Sequence, residues 1–79
     1  MKLKVLYFGM IAEAVNCKEE EISLQPGSTV EQLSNLLISK YEKLNDLSFN
    51  IAVNKEILNQ NIPINSNSEI ALLPPFAGG

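Results

Sequence analysis

The stretch Ser28–Leu44, STVEQLSNLLISKYEKL, carries the strongest structural signal in the chain. Its apolar residues recur at helical spacing and form one stripe, which consists of Val30, Leu33, Leu37, Tyr41 and Leu44 and is widened by Leu36. Ser28 and Glu31 have the spacing of a capping box, in which the serine accepts an amide hydrogen bond and the glutamate reaches back. The stretch is therefore predicted to be an amphipathic helix with one face on the core.

The segments around this helix are predicted to be short strands, because their apolar residues alternate with polar ones. These predicted strands are 2–8, 19–24, 49–54, 56–58 and 69–73. Gly9–Val15 suits a short helix, and Asn54-Lys55 suits a hairpin turn. One helix on one face of such a sheet predicts an α+β fold of the β-grasp type, the arrangement also seen in ubiquitin. We expect a mixed sheet of about five strands that grips one main helix.

The length of 79 residues predicts a single domain, 1–79, in which 73–79 form an extended, flexible C-terminal Gly-Gly tail. The net charge is −3 and the six basic residues are scattered, which argues against nucleic-acid binding. The apolar run Ile70–Ala77 is far shorter than a membrane span, and no signal peptide follows Met1. We therefore expect a cytoplasmic protein with no nucleic-acid or membrane partner.

Catalytic side chains are scarce in this composition. The chain has no histidine and a single cysteine, Cys17, so a Cys–His pair or a Ser–His–Asp triad cannot form. The same shortage leaves no plausible zinc site, and we expect no metal site. Cys17 is expected to be an ordinary loop residue.

Strand alternation also predicts the side chains on the face of the sheet that points away from the helix. This outer face should show Leu6, Phe8, Ala52, Ala71 and Leu73, with Ile57 nearby. A contiguous apolar patch of this kind is unusual on a monomer unless it has a use. The patch either binds a partner or is partly covered by the short helix of residues 9–15, and we favour the partner.

The patch leads directly into Leu73–Gly79, LPPFAGG. Pro74 and Pro75 must end the strand, because neither can donate a hydrogen bond. Gly78 and Gly79 lack Cβ atoms, so their backbone can pass through a narrow channel. The tail could thus deliver the C-terminal carboxylate to a partner. ATP can convert a carboxylate into an acyl-adenylate, from which a sulfur donor can form a thiocarboxylate.

The chain resembles the small, sulfur-carrier subunits of molybdopterin synthase, which are ubiquitin-like β-grasp proteins. The resemblance covers the whole chain. It rests on the segments Val5–Gly9 (VLYFG), Pro26–Val30 (PGSTV), Ala52–Asn54 (AVN) and above all Leu73–Gly79 (LPPFAGG).

The resemblance implies that an activating enzyme of the ubiquitin-E1 type uses ATP to adenylate Gly79, and that a sulfur-transfer system then forms a thiocarboxylate. The carrier would insert its tail, threaded through Gly78, into the large catalytic subunit of the synthase. The complex would be a heterotetramer of two small and two large subunits. Two carriers acting in turn would supply the dithiolene sulfurs of molybdopterin from cyclic pyranopterin monophosphate. The chain would bind no cofactor and would not be catalytic alone.

The resemblance also implies a partner-binding surface. Its residues are Phe8, Ile57, Leu73, Pro74, Pro75, Phe76 and Ala77. Strand alternation places Phe8 and Leu73 on the same outer face. Two departures from the family pattern affect this partner contact. Met10–Glu13 lacks the arginine that members commonly carry after the first strand, and Phe76 stands where valine is frequent.

Three other functions fit the same fold and ending. A sulfur carrier of thiamine thiazole synthesis also ends in Gly-Gly, but those chains are usually shorter and lack the two prolines. A ubiquitin-like modifier would be joined through Gly79 to lysines of target proteins. A non-catalytic interaction domain would carry its terminal glycines by chance.

Overall fold

The computed structural model describes residues 1–57 and 61–75. Its strands are β1 (Lys2–Tyr7), β2 (Glu19–Ser23), β3 (Asn50–Val53), β4 (Glu56–Ile57) and β5 (Glu69–Leu73). They form one five-stranded sheet in the order β2-β1-β5-β3-β4. β1 and β5 are parallel and the other neighbours are antiparallel, so the sheet is mixed, as predicted. β5, the last strand in the chain, lies at its centre.

The helices are α1 (Gly9–Val15), α2 (Val30–Lys40) and a 3₁₀ helix (Glu42–Asp46). They pack on the inner face of the sheet, where alternate strand residues point inward as predicted. The resulting core cluster consists of Leu3, Val5, Tyr7, Ile11, Val15, Ile22, Val30, Leu33, Leu37, Leu44, Ile51, Val53, Ile64, Ile70 and Leu72. Leu24 and Phe49, which were also expected to point inward, lie at the edge of this cluster and are partly buried.

α2 is capped one residue later than predicted. Thr29, not Ser28, is the N-cap: its Oγ1 accepts a hydrogen bond from the amide of Gln32 at 3.2 Å, and Gln32 Oε1 accepts one from the amide of Thr29 at 2.8 Å. Ser28 instead donates its hydroxyl hydrogen bond to the carbonyl of Gln25 at 2.7 Å. The helix therefore does begin with a capping box, but its residues are Thr29 and Gln32 rather than Ser28 and Glu31. The Ser28 hydroxyl is instead hydrogen-bonded in the preceding turn.

α2 also ends at Lys40, earlier than the predicted stripe. Tyr41 is its C-cap and has an extended backbone, with φ −125° and ψ 98°. The 3₁₀ helix, rather than a continued α-helix, carries Leu44 into the core. Leu36 is 39% exposed and does not widen the buried stripe. The extended backbone at Tyr41 accompanies a contact of its hydroxyl group with Glu20, described below.

Two local predictions concern the edges of the sheet. Asn54 and Lys55 have φ angles of 51° and 70°, as a two-residue turn of type I′ requires, so the predicted hairpin between β3 and β4 is confirmed. Leu58, the predicted last residue of β4, lies outside the described residues. α1 buries Ile11 and Val15 in the core. It therefore does not take the alternative position across the outer face.

Candidate functional site

The outer face of the sheet divides into two halves. Strand pairing places Glu21, Lys4 and Glu69 in one row. The next row crosses all five strands and contains Glu19, Leu6, Ala71, Ala52 and Ile57. We define the charged half as Lys2, Lys4, Glu19, Glu21 and Glu69, and the apolar half as Leu6, Phe8, Ala52, Ile57, Ala71 and Leu73. The boundary between the halves runs across the sheet, roughly perpendicular to the strands, except at β2, where Glu19 lies in the same row as Leu6.

The charged half contains cross-strand ion pairs between β1 and β2. Lys4 Nζ lies 3.2 Å from a carboxylate oxygen of Glu19, and Lys2 Nζ lies 3.9 Å from one of Glu21. All four side chains are more than half exposed. Exposed ion pairs of this kind contribute little to the free energy of unfolding. The charged half is therefore an ordinary hydrated surface.

The apolar half is open to solvent at its most hydrophobic residues. Phe8 is 44% and Ile57 is 55% exposed, while Leu6, Ala71 and Leu73 are half-buried. The prediction that Ala52 is exposed on this face is wrong, because Ala52 is only 4% exposed. It nevertheless does not belong to the core cluster. Its methyl group is short, and it lies between the paired residues Ala71 and Ile57.

A groove of about 710 Å³ extends the apolar half towards α1. Its lining consists of Leu6, Tyr7, Phe8, Gly9, Met10, Ala12, Glu13, Lys18 and Glu19. Met10 is 52% exposed and lines this groove, although it was not among the partner-binding residues expected from the sequence. The sequence did contain a signal for this position. Met10 is an apolar residue that directly follows Phe8-Gly9 at the end of the first predicted strand, which places it beside the outer face.

The tail leaves the sheet from the apolar half. Leu73 is the last residue of β5 and pairs with Asn50 of β3, so the strand ends before the prolines, as predicted. Pro74 is half-buried and Pro75 is exposed. The predicted site residues Phe76, Ala77, Gly78 and Gly79 lie outside the described residues. Phe8, Ile57, Leu73, Pro74 and Pro75 are all described, and their role in partner binding stays a prediction.

A polar cluster lies on the inner side of β2, where the sequence analysis expected no site. Glu20, whose side chain is 17% exposed, accepts hydrogen bonds from Lys40 Nζ at 2.7 Å and from the Tyr7 hydroxyl at 2.6 Å. The Tyr41 hydroxyl donates to the same carboxylate oxygen as Tyr7. The sequence did contain a signal for this cluster. Glu20 is two residues before Ile22 in the same strand, so strand alternation predicts its carboxylate on the inner face.

The ionisation of this cluster follows from its contacts. Burial raises the pKa of Glu20, but hydrogen bonds from Lys40, Tyr41 and Tyr7 outweigh burial and bring that pKa below its usual value. Burial and the hydrogen bond to Glu20 raise the pKa of Tyr41 to about 12, and the pKa of Tyr7 still further. The hydrogen bond to Glu20 also raises the pKa of Lys40. At neutral pH the cluster thus holds one carboxylate and one ammonium, which suits a structural role.

Residues 1–57 and 61–75 lack the features of two other kinds of site. Within them no three His, Cys, Asp or Glu residues come together in a way that could hold a metal ion. No helix in the same ranges has the length and hydrophobicity needed to cross a membrane. The thiol of Cys17 is free and half-buried.

Comparison with known proteins gives one family and several full-length relatives. The ThiS family matches residues 5–79. The molybdopterin synthase sulfur carrier subunit of Mycobacterium tuberculosis is 37% identical, over 100% of this chain and 99% of that protein.

Solved structures agree with this result. The putative molybdopterin converting factor, subunit 1, from Pyrococcus furiosus superposes with a TM-score of 0.89 at 27% identity, covering 96% of this chain and 99% of that chain. A chain from the complex of subunits 1 and 2 of the molybdopterin-converting factor of Helicobacter pylori gives a TM-score of 0.70 at 26% identity, with complete coverage of both chains. The family match and the full-length relative together show that the chain belongs to the ThiS family of ubiquitin-like β-grasp proteins.

Proposed function

We propose that this chain is the sulfur carrier subunit of a molybdopterin synthase. The observation that carries the proposal is the continuity between the apolar half and the tail: Leu73 lies in the apolar half, and the chain runs on from it through Pro74 to the terminal glycines. A partner that binds the apolar half therefore receives the tail as well. The full-length similarity to a sulfur carrier subunit supports the same conclusion.

The proposed chemistry begins at the carboxylate of Gly79. One of its oxygens attacks the α-phosphorus of ATP on an E1-like activating enzyme, pyrophosphate leaves, and an acyl-adenylate forms. A sulfur donor at the oxidation level of sulfide then attacks the acyl carbon, AMP leaves, and the product is a thiocarboxylate. This sulfur is transferred to cyclic pyranopterin monophosphate to build the dithiolene of molybdopterin. The carrier binds no cofactor of its own and supplies docking and positioning rather than a catalytic side chain.

The proposed partners are the activating enzyme and the large synthase subunit, the latter in a heterotetramer with two carriers. Both would bind the apolar half, because the exposed side chains of Phe8 and Ile57 gain most from leaving water. Four residues follow Pro75, and they span at most about 14 Å when fully extended. We therefore expect each partner to place its reaction centre within that distance of the docked Pro75.

Intact-mass measurement tests the carrier step. The purified chain is incubated with ATP, the activating enzyme and a sulfur source, and its mass is expected to rise by about 16 Da as sulfur replaces oxygen. A variant without Gly79 is the matched control and should keep its mass. An unchanged mass of the complete chain under these conditions would contradict the proposal.

A second reaction separates the alternatives. The thiocarboxylated chain is mixed with the large synthase subunit and cyclic pyranopterin monophosphate, and we expect molybdopterin to form while the carrier returns to its original mass. Transfer of sulfur only in a thiazole-forming system would favour the thiamine carrier. Covalent attachment of the chain to lysines of other proteins would instead favour a ubiquitin-like modifier.

A further inference from the structure

Gly9 lies where the end of β1, the start of α1 and the departure of the tail meet. It has a φ of +56°, in the left-handed region that residues with a side chain rarely adopt. A Cβ atom added at Gly9 would lie 3.2 Å from Cγ of Pro74. Carbon atoms in ordinary contact lie about 3.5–4.0 Å apart, so a side chain at Gly9 would require Pro74 to shift by a few tenths of an ångström.

The backbone on both sides of this contact is held by hydrogen bonds. The Phe8 amide donates to the carbonyl of Leu72 at 3.3 Å, which continues the parallel ladder between β1 and β5. The Phe8 carbonyl accepts from the amide of Ile11 at 3.1 Å, which starts α1. Gly9 directly follows Phe8, and Pro74 directly follows Leu73, which pairs with Asn50 of β3. Neither can move far without breaking a strand or a helix contact.

A shift of Pro74 would be passed on along the chain. Proline fixes φ near −65°, and Pro74 is followed directly by Pro75. Neither residue can therefore absorb the shift by rotation about φ. The next described position in this direction, Pro75, is exposed. A change of a few tenths of an ångström at Pro74 therefore alters the direction in which the chain leaves the sheet.

We propose that Gly9 is a positioning residue for the reactive terminus, and that its missing side chain seats Pro74 and so sets the direction of the tail. This inference rests on the proposed function, because it matters only if Gly79 is delivered to an active site. Gly9 acts through Pro74 and touches no reacting atom. The apolar half supplies binding, and the contact between Gly9 and Pro74 supplies alignment.

Steady-state kinetics with the activating enzyme tests this role. The concentration of the full chain is varied with ATP and the sulfur source in excess, and the rate of AMP release gives kcat and KM separately. Gly9→Ala is expected to lower kcat by about three- to ten-fold, because a small misplacement of a reacting group costs rate. KM should change by less than about two-fold, because the apolar half remains intact. Equal kcat values for Gly9→Ala and the unaltered chain would overturn the inference.

Gly27→Ala is the matched control for backbone strain. Gly27 also has a positive φ, +87°, but a Cβ atom added there meets nothing within 4 Å. Its kcat should therefore stay that of the unaltered chain even if its melting temperature falls. A kcat loss in Gly27→Ala as large as in Gly9→Ala would assign the effect to strain and overturn the inference.

A double variant tests whether Gly9 acts through Pro74. In a Pro74→Ala background, which lacks Cγ, Gly9→Ala should have no further effect on kcat. An undiminished effect there would overturn the inference. If Gly9→Ala does not fold, Gly9→Asn replaces it, because asparagine tolerates a left-handed backbone and adds the same Cβ. Absence of turnover with the unaltered chain would contradict the proposed function itself, and this inference with it.

Discussion

The charged and apolar halves of the outer face share strands β1 and β5 and differ in the chemistry of their side chains. On β1, the side chain of Lys4 forms an ion pair with Glu19, whereas Leu6, two residues further along the strand, belongs to the apolar half. On β5, Glu69 is followed in the same way by Ala71. Because β1 and β5 are parallel, both strands become apolar at the same end of the sheet, and that is the end from which the tail leaves. The strands thus change along their length from a solvated surface to the surface that we propose for docking.

A charge placed in the apolar half should have the largest effect. Phe8→Asp is expected to weaken binding to the large synthase subunit by about 2–4 kcal/mol, because an exposed aromatic anchor is replaced by a carboxylate that must be desolvated. Isothermal titration calorimetry measures the affinity. The fold should persist in circular dichroism, since Phe8 is 44% exposed.

The control for this variant is Lys4→Gln, a neutral substitution on the same strand in the charged half. It should bind the large subunit as tightly as the unaltered chain. If Phe8→Asp binds normally, or Lys4→Gln binds as poorly, the division of the outer face into a docking half and a solvated half is wrong.

The next effect is expected on the inner side of β2, where the carboxylate of Glu20 is half-buried and accepts hydrogen bonds from protein side chains. Glu20→Gln is expected to lower the free energy of unfolding by about 1–3 kcal/mol at pH 7, since it weakens the hydrogen bonds from Lys40, Tyr7 and Tyr41. Urea denaturation followed by circular dichroism measures this. Glu21→Gln, on the exposed side of the same strand, should change it far less.

The effect of Glu20→Gln on the free energy of unfolding should also depend on pH. The pKa of Glu20 is lowered in the folded state, so its contribution is complete above the unfolded pKa of about 4.3 and is lost as the pH falls through the folded pKa. The gap in stability between the unaltered chain and Glu20→Gln should therefore shrink in acid. A gap that stays constant down to the acid unfolding of the chain would contradict this account.

A smaller effect is expected at the turn that leads to Ile57 in the apolar half. Lys55 has a φ of 70°, so Lys55→Gly should stabilise the chain by about 0.5–1 kcal/mol, because glycine adopts this conformation without steric cost. The comparison is Asn54→Gly. Asn54 Oδ1 accepts a hydrogen bond from the amide of Glu69 at 3.0 Å, and its loss should offset any gain. Thermal unfolding that ranks the two variants in the opposite order would contradict this explanation.

The smallest effect belongs to the charged half itself. Lys4→Gln removes the ion pair with Glu19, and we expect the free energy of unfolding to change by less than about 0.5 kcal/mol, because both side chains are largely exposed. Chemical denaturation at low and high salt measures this change. A loss above about 1 kcal/mol would mean that the charged half is a structural element as well as a solvated one.

The features that the sequence predicted are those set by local periodicity. Alternation in β1 and β5 gave the inner and outer faces, and Asn54-Lys55 gave the hairpin, since each depends on residues close in the chain. The end of α2 was missed for the opposite reason. The apolar spacing continues through Leu44, but the Tyr41 hydroxyl binds Glu20, which is 21 residues away.

The same limit applies to the candidate site. Phe8 and Leu73 were placed on one face by alternation, and the structure brings them to the same end of the sheet. The contact between Gly9 and Pro74 joins the first strand to the last, and no pattern within either segment indicates it. Ala52 was placed on the correct face, but its low exposure depends on its paired neighbours.

The central position of β5 has a consequence for biosynthesis. Residues before Glu69 contain β1 paired with β2 and β3 paired with β4, and β5 is the described strand that joins the two pairs into one sheet. A nascent chain on the ribosome therefore cannot complete its fold until this strand has emerged. Contacts between segments so distant in sequence also form late and slowly in folding. The strand that completes the sheet also carries Leu73 into Pro74, so, under the proposed function, an incompletely folded chain would present no aligned terminus to an activating enzyme.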